Sequence, residues 1–209
     1  MAVELLLCAA TELECALLRE QLKSRSASVA IVRTGVGAVN AAHAATLFLV
    51  ETGARSVVVC GVGGAYPDAG LTVGDVVCAA SECYGDLGAT SPAGFLDMKA
   101  LGFPVIEAGP LFNELPMQIF PVARRVPFVT VTSCTGTDLA ARAIEQRTGG
   151  AVESMEGAAI AHVAHLHGIP VGEVRGISNI VTDREPGAWK LKEAAVAAQE
   201  AVISWIIRR

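Results

Sequence analysis

The chain has no basic block, and its 16 Lys and Arg are outnumbered by 21 Asp and Glu. A net charge of −5 over 209 residues, with a pI near 5.4, leaves little to attract a phosphate backbone and excludes a general nucleic-acid binder. No stretch approaches the roughly 18 consecutive apolar residues that a spanning helix requires, which argues against a membrane protein. The start, Met1 to Ala10, lacks a basic n-region and carries Glu4 inside its apolar run, so it makes a poor signal peptide. Cysteines (Cys8, Cys15, Cys60, Cys78, Cys83 and Cys134) are scattered without a Cys-x-x-Cys pair. They fit small buried residues of a reduced compartment, and neither a zinc site nor a disulfide framework. A cytoplasmic location is expected. Charged residues are scarce at 18%, against 52% hydrophobic, so a large core can form and part of the surface is expected to lie under a partner subunit.

Familiar catalytic signatures are missing as well. His162 and His165 share a helix face, but no Glu or Cys stands at metal-ligand spacing and there is no H-E-x-x-H. Gly35-Val36-Gly37 lacks the third glycine of the dinucleotide fingerprint, Gly61 to Gly64 lacks the Lys-Ser/Thr of a P-loop, and no G-x-S-x-G elbow exists.

What is present is an alternation of apolar runs and helical periods. Strands are expected over Glu4 to Ala10, Val29 to Thr34, Ser56 to Gly61, Asp75 to Cys83, Phe128 to Ser133 and Val171 to Ile177. Helices are expected over Thr11 to Lys23, Val39 to Glu51, Thr137 to Thr148, Met155 to Leu166 and Trp189 to Ile207. Thr11-Glu12-Leu13-Glu14 reads as a capping box, and Ser154 as the cap of the helix beginning at Met155. Thr90 to Pro127, broken by Pro92, Pro104, Pro110, Pro116 and Pro121, reads as a long excursion on the active-site side, with a short helix near Asn113 to Ile119. This order predicts one domain spanning 1–209, a three-layer α/β/α sandwich around a mostly parallel, mixed sheet.

In such sheets ligands bind beyond the carboxyl ends of the strands. Five pieces fall there: Glu14, the run Gly61-Val62-Gly63-Gly64, the pair Met155-Glu156, Arg175, and Ser178-Asn179. Taken singly, Glu156 is explained by a helix dipole, Asn179 by a turn and Glu14 by its cap. As an ordered set they resemble the nucleoside phosphorylase and nucleosidase superfamily. There an Ala-x-x-x-Glu start, a Gly-rich third strand end, a Met-Glu pair and an Arg-x-Ile-Ser-Asp/Asn strand end recur in this order. Tyr84-Gly85-Asp86-Leu87-Gly88, Glu153 to Ala159, Arg175 to Asn179, Arg184 and Trp189 are similar to its futalosine hydrolase branch.

The resemblance implies a nucleoside phosphorylase-like fold. It also implies cleavage of an N-ribosidic bond without a cofactor or metal, on a small purine nucleoside, by a homodimer or higher homo-oligomer. Glu14 would activate water with Arg175 beside it, and Glu156 would accept from the ribose hydroxyls with Met155 against the sugar. Gly61 to Gly64 would form the floor, and Asn179, with Ser178, would address the base. The branch implies futalosine as substrate, within menaquinone biosynthesis. An adenine-type nucleosidase, a purine nucleoside phosphorylase and a non-catalytic purine-nucleoside binder remain alternatives. The phenylalanine that stacks on the base in methylthioadenosine nucleosidases is missing near Thr135-Gly136, which leaves Phe103, Phe112 or Tyr84 as stacking candidates.

Overall fold

A computed structural model describes residues 3–209. The first strand, β1 (Leu5–Ala9), is an unbroken apolar run buried along its whole length. Side chains alternate across a strand, so Leu6 and Cys8 enter one core while Leu5 and Leu7 enter another on the opposite face. A 3₁₀ turn over Glu12–Glu14 leads into α1 (Ala16–Gln21), β2 (Val29–Arg33), α2 (Ala38–Thr52), β3 (Val57–Ala65) and β4 (Val76–Tyr84). A hairpin of β5 (Gly88–Ser91) and β6 (Gly94–Asp97), α3 (Met98–Leu101) and β7 (Glu114–Pro116) follow. The chain then runs through β8 (Arg125–Thr130), α4 (Asp138–Thr148), β9 (Val152–Ser154), α5 (Gly157–Leu166), β10 (Val171–Ile180) and α6 (Leu191–Ile207).

The main sheet is mixed. β1 lies between β2 and β3 with all three parallel, and β3 continues parallel to β10. β10 then pairs antiparallel with β4, β4 and β8 run parallel, β8 and β9 run parallel, and β9 returns antiparallel to β3. Strands β3, β10, β4, β8 and β9 therefore close into a ring. Residues of α2 and α5 fill the core on one face, and those of α1 and α6 the core on the other. The expected three layers are present, with the added feature that the central layer curls on itself.

Some local expectations fail for physical reasons. Ser154 caps nothing, because it is still paired in β9 against Thr130. The helix begins at Gly157, two residues later than expected, and its Ala158 amide donates to the Thr130 hydroxyl at 2.7 Å instead. Asn113 to Ile119 does not form a helix, since Leu115 is buried within a strand paired to β4.

One contact joins the two ends of the chain. Gln199 on α6 is 1% exposed, and its Oε1 accepts from the Leu17 and Leu18 amides at 3.0 and 3.3 Å. Those are orphan donors of the first turn of α1, whose own N-cap, Cys15, supplies no side-chain bond. Its Nε2 donates to the carbonyls of Leu13 and Ala195, both at 3.0 Å. Gln199 thus caps α1 from another helix and holds the turn that carries Glu14. Replacing Gln199 with Leu strands the Leu17 amide and the Leu13 carbonyl, so a loss of about 2–3 kcal/mol is expected in urea unfolding; an unchanged midpoint and slope would refute this account.

Candidate active site

The five sequence pieces converge on one cavity of about 310 Å³, at the lower end of the ~300–1,000 Å³ range of small-molecule sites. Glu14, Val62, Gly63, Gly64, Met155, Glu156, Arg175, Ser178 and Asn179 all line it. Gly61 does not. The strand expected to end at Gly61 runs on to Ala65, so Gly61 to Gly64 lie within β3.

Glu14 divides its carboxylate between two tasks. The Thr11 amide and hydroxyl donate to Oε2 at 3.0 and 2.7 Å, closing the capping box read from the sequence. Oε1 accepts from the Val62 amide at 2.9 Å and lies 3.8 Å from Arg175 Nη1. Capping therefore leaves the second oxygen, with its remaining lone pair, facing Arg175.

Arg175 is 2% exposed and is surrounded by acids. Its Nε donates to Glu173 Oε1 at 2.7 Å, Nη1 donates to the Val62 carbonyl at 3.0 Å, and Nη2 reaches Glu156 Oε2 at 3.5 Å. Burial alone would lower its hold on the proton, but Glu173, Glu156 and Glu14 in turn raise it above the usual guanidinium value. This arrangement needs Gly61, where a Cβ would collide with both Glu14 Oε1 and Arg175 Nη1.

Glu156 occupies the N-cap position of α5, one step before the helix where the sequence placed it within the first turn. Its Oε1 accepts from the Gly37 amide at 2.9 Å, which pins the loop before α2 to the site. Gly37 presents that amide with a φ of +92°, a conformation that suits glycine. Burial pushes the Glu156 carboxyl up from its ordinary value, while Arg175 and the Gly37 amide act against the rise. Beside it, Ser154 places in the lining a buried hydroxyl that has no partner among the described residues.

At the far wall, β10 slips register between Ile177 and Asn179, and the bulge turns Ser178 and Asn179 toward the cavity. Ser178 Oγ donates to Asn179 Oδ1 at 2.7 Å, and Asn179 Nδ2 donates to the Ile180 carbonyl at 3.2 Å. The amide retains one N–H to offer, and its oxygen keeps one lone pair beside the Ser178 bond. Glu153 has both oxygens engaged: Oε1 accepts from the Thr135 amide at 2.8 Å, while Oε2 accepts from the Tyr66 hydroxyl at 2.9 Å and from the Thr135 hydroxyl. It thereby holds Thr135, another lining residue, in place.

None of the three stacking candidates, Tyr84, Phe103 and Phe112, reaches the cavity, and neither does any other residue of the 90–127 excursion. Trp189 is the aromatic residue in the lining, with Arg184 over its ring at 4.8 Å. The sequence missed the roles of Gly37, Ser154 and Thr130, which depend on contacts between distant strands and loops.

The cavity thus brings together an acid at the wall, a second acid beside a backbone amide, one buried cation and an oriented amide. The family profile described as "Phosphorylase superfamily" matches residues 22–206, and the chain belongs to that superfamily. Among curated relatives, a futalosine hydrolase from Thermus thermophilus is 31% identical over 82% of this chain and 78% of its own length. A futalosine hydrolase from Streptomyces coelicolor is 37% identical over 70% of this chain, a match that spans 63% of that relative's length. A 5′-methylthioadenosine/S-adenosylhomocysteine nucleosidase from Colwellia psychrerythraea, solved with adenine, shares the fold with a TM-score of 0.84 at 22% identity, covering 100% of this chain and 96% of that one.

Proposed function

We propose that the chain, working as a single domain, hydrolyses the N-ribosidic bond of futalosine, releasing hypoxanthine and dehypoxanthine futalosine in menaquinone biosynthesis. The observation that carries this reading is the pair of carboxylates, Glu14 and Glu156, held on either side of Arg175 in one cavity. The futalosine hydrolases among its relatives favour this substrate over the others the superfamily takes.

In this reading Glu156 accepts from the 2′- and 3′-hydroxyls, Met155 packs against the sugar, and Val62 to Gly64 lie beneath it. Glu14 Oε1 takes a proton from water as the oxygen attacks C1′. The C1′–N9 bond breaks, its electron pair passes to the purine, Asn179 steadies the departing base with its free N–H, and the base takes its proton from solvent. Phosphorolysis is disfavoured because, among the described residues, Arg175 is the only Lys or Arg in the lining and it already faces Glu173, Glu156 and Glu14. A phosphate dianion would have to sit against two of those carboxylates.

The test is incubation with futalosine, inosine and methylthioadenosine, with and without phosphate, followed by identification of the base and sugar released. Futalosine should be cleaved at a rate independent of phosphate, and Glu14→Gln should lower turnover by ~10²–10⁴ while leaving folding largely intact. A phosphate-dependent rate with a ribose 1-phosphate product would replace hydrolysis by phosphorolysis. A preference for methylthioadenosine would favour the adenine-type reading.

The Ser178–Asn179 bond makes a second outcome specific. Asn179 has a free N–H that suits N7 or O6 of a 6-oxopurine, whereas a 6-amino group would need the oxygen, one of whose two lone pairs Ser178 already holds. An unpaired polar group in a closed site costs ~1–3 kcal/mol, so the 6-oxo nucleoside should be preferred by roughly one to two decades in kcat/KM. Asn179→Asp should move that preference toward aminofutalosine; equal values for both substrates, or no shift in the variant, would remove Asn179 as the base reader.

Homo-oligomerisation is part of the proposal. Val39, Leu47 and Val50 share a stripe along α2 and are 84%, 52% and 73% exposed, a costly face to leave in water. Light scattering at micromolar concentration should give a dimer or larger species, and a monomer would count against it.

A further inference from the structure

Two acids outside the cavity remain unexplained. Glu82 on β4 and Glu173 on β10 are both 0% exposed, and neither lines the site. Each has one oxygen accounted for: Thr130 Oγ1 donates to Glu82 Oε2 at 3.0 Å, and Arg175 Nε donates to Glu173 Oε1 at 2.7 Å. Thr130 has no second proton to give, since its one O–H goes to Glu82 while its oxygen accepts from the Ala158 amide. The other two oxygens, Glu82 Oε1 and Glu173 Oε2, have no N–H or O–H partner among the described residues. Both would collide with a Cβ built on Gly157, so they converge on the space that one methyl group would fill. Two acceptors brought together without a donor are repulsive unless a proton lies between them.

We infer that Glu82 and Glu173 form an acid–carboxylate pair sharing one proton, and that this pair positions Arg175 and limits how much of its charge reaches Glu14 and Glu156. Both are positioning residues, acting through Arg175. Glu173 is the nearest of the three acids to the guanidinium, at 2.7 Å against 3.5 and 3.8 Å for Glu156 and Glu14. The cation is therefore largely matched before it meets the two carboxylates of the cavity, which keeps them available as acceptors. The proton on Glu82 lets Glu173 carry that charge without a second buried negative charge beside it.

Burial pushes Glu82 well above the ordinary carboxyl range, and the Glu173 charge adds to the rise, against Arg175 and Thr130. The remaining titratable neighbours are Tyr66, Cys83 and Tyr84, which feel Glu82, and Cys60 and Cys78, which feel Glu173. Burial raises all five, so they stay neutral near neutral pH. Glu156 completes the set, with Glu173 among the charges that raise it.

The proton itself is tested without any substrate. Infrared difference spectra of wild type and Glu82→Gln at neutral pH should contain the C=O stretch of a protonated carboxylic acid, lost in the variant; its absence from the wild type overturns the shared proton. A raised carboxyl contributes stability that is lost as pH climbs from the ordinary carboxyl range through the folded-state value. Gln is neutral throughout and still donates to Glu173, so Glu82→Gln should lose less stability than wild type as pH rises; parallel curves would overturn the inference. The kinetic consequence rests on the hydrolase reading. Glu173→Gln should move the acid limb of kcat/KM to lower pH by about one unit, because the Arg175 charge then falls on Glu156, while Glu82→Gln keeps the wild-type limb. An unmoved limb in folded Glu173→Gln overturns the positioning role. If that variant does not fold, the spectra and the Glu82→Gln stability curve decide the inference. They decide it equally if no nucleoside is cleaved, which would be a failure of the reaction assignment alone.

Discussion

The site depends on a single cation that is almost shut off from water. A guanidinium stranded in the interior costs several kcal/mol, and breaking a buried pair by removing one partner typically costs 3–5 kcal/mol. Every arm of Arg175 is accordingly engaged: Nε with Glu173, Nη1 with the Val62 carbonyl, Nη2 with Glu156. Because the fork is planar and rigid, the same contacts fix where Glu14 and Glu156 stand relative to each other. The closed ring of strands serves this arrangement, bringing β10 beside both β3 and β4 so that acids from three chain segments can meet one arginine.

The layers of the fold were legible because the chain writes them in runs of fixed period. Leu5 to Ala9 and Val57 to Cys60 are continuous apolar strands, and sheets covered on both faces require such runs. The ring was not legible, since curling of a sheet is set by pairings between strands far apart in sequence. Glu14, Glu156, Arg175 and Asn179 were found through their order and types at strand ends, and the structure brings them to one cavity.

The residues that were missed share a property. Glu82 and Glu173 each lie among mostly apolar residues in a buried strand, and Gln199 falls in the buried stripe of α6 with Ala195 and Val202. Read singly, such residues resemble tolerated defects. Their signal was burial of a polar group in an apolar stretch, which has to be matched by a partner that local sequence does not name. The correction at Ser154 is of the same kind: local chemistry proposed a cap, but Thr130 on a neighbouring strand supplies it. The excursion from Thr90 to Pro127 misled for the opposite reason. Its aromatic residues pointed to burial, and nothing in their spacing told which surface they would cover.

The bond from Gln199 to Leu17 spans 182 positions of the chain. Closing a loop of that length is slow to reward, and nearly all of the sheet is available for pairing before this contact can form. The turn bearing Glu14 thus precedes α6 by the whole of the sheet, and it is among the last segments to be locked. A partly made chain could possess its cavity walls without a fixed acid in them. Chemical competence in this molecule would then arrive as a late event of folding, timed by the docking of α6.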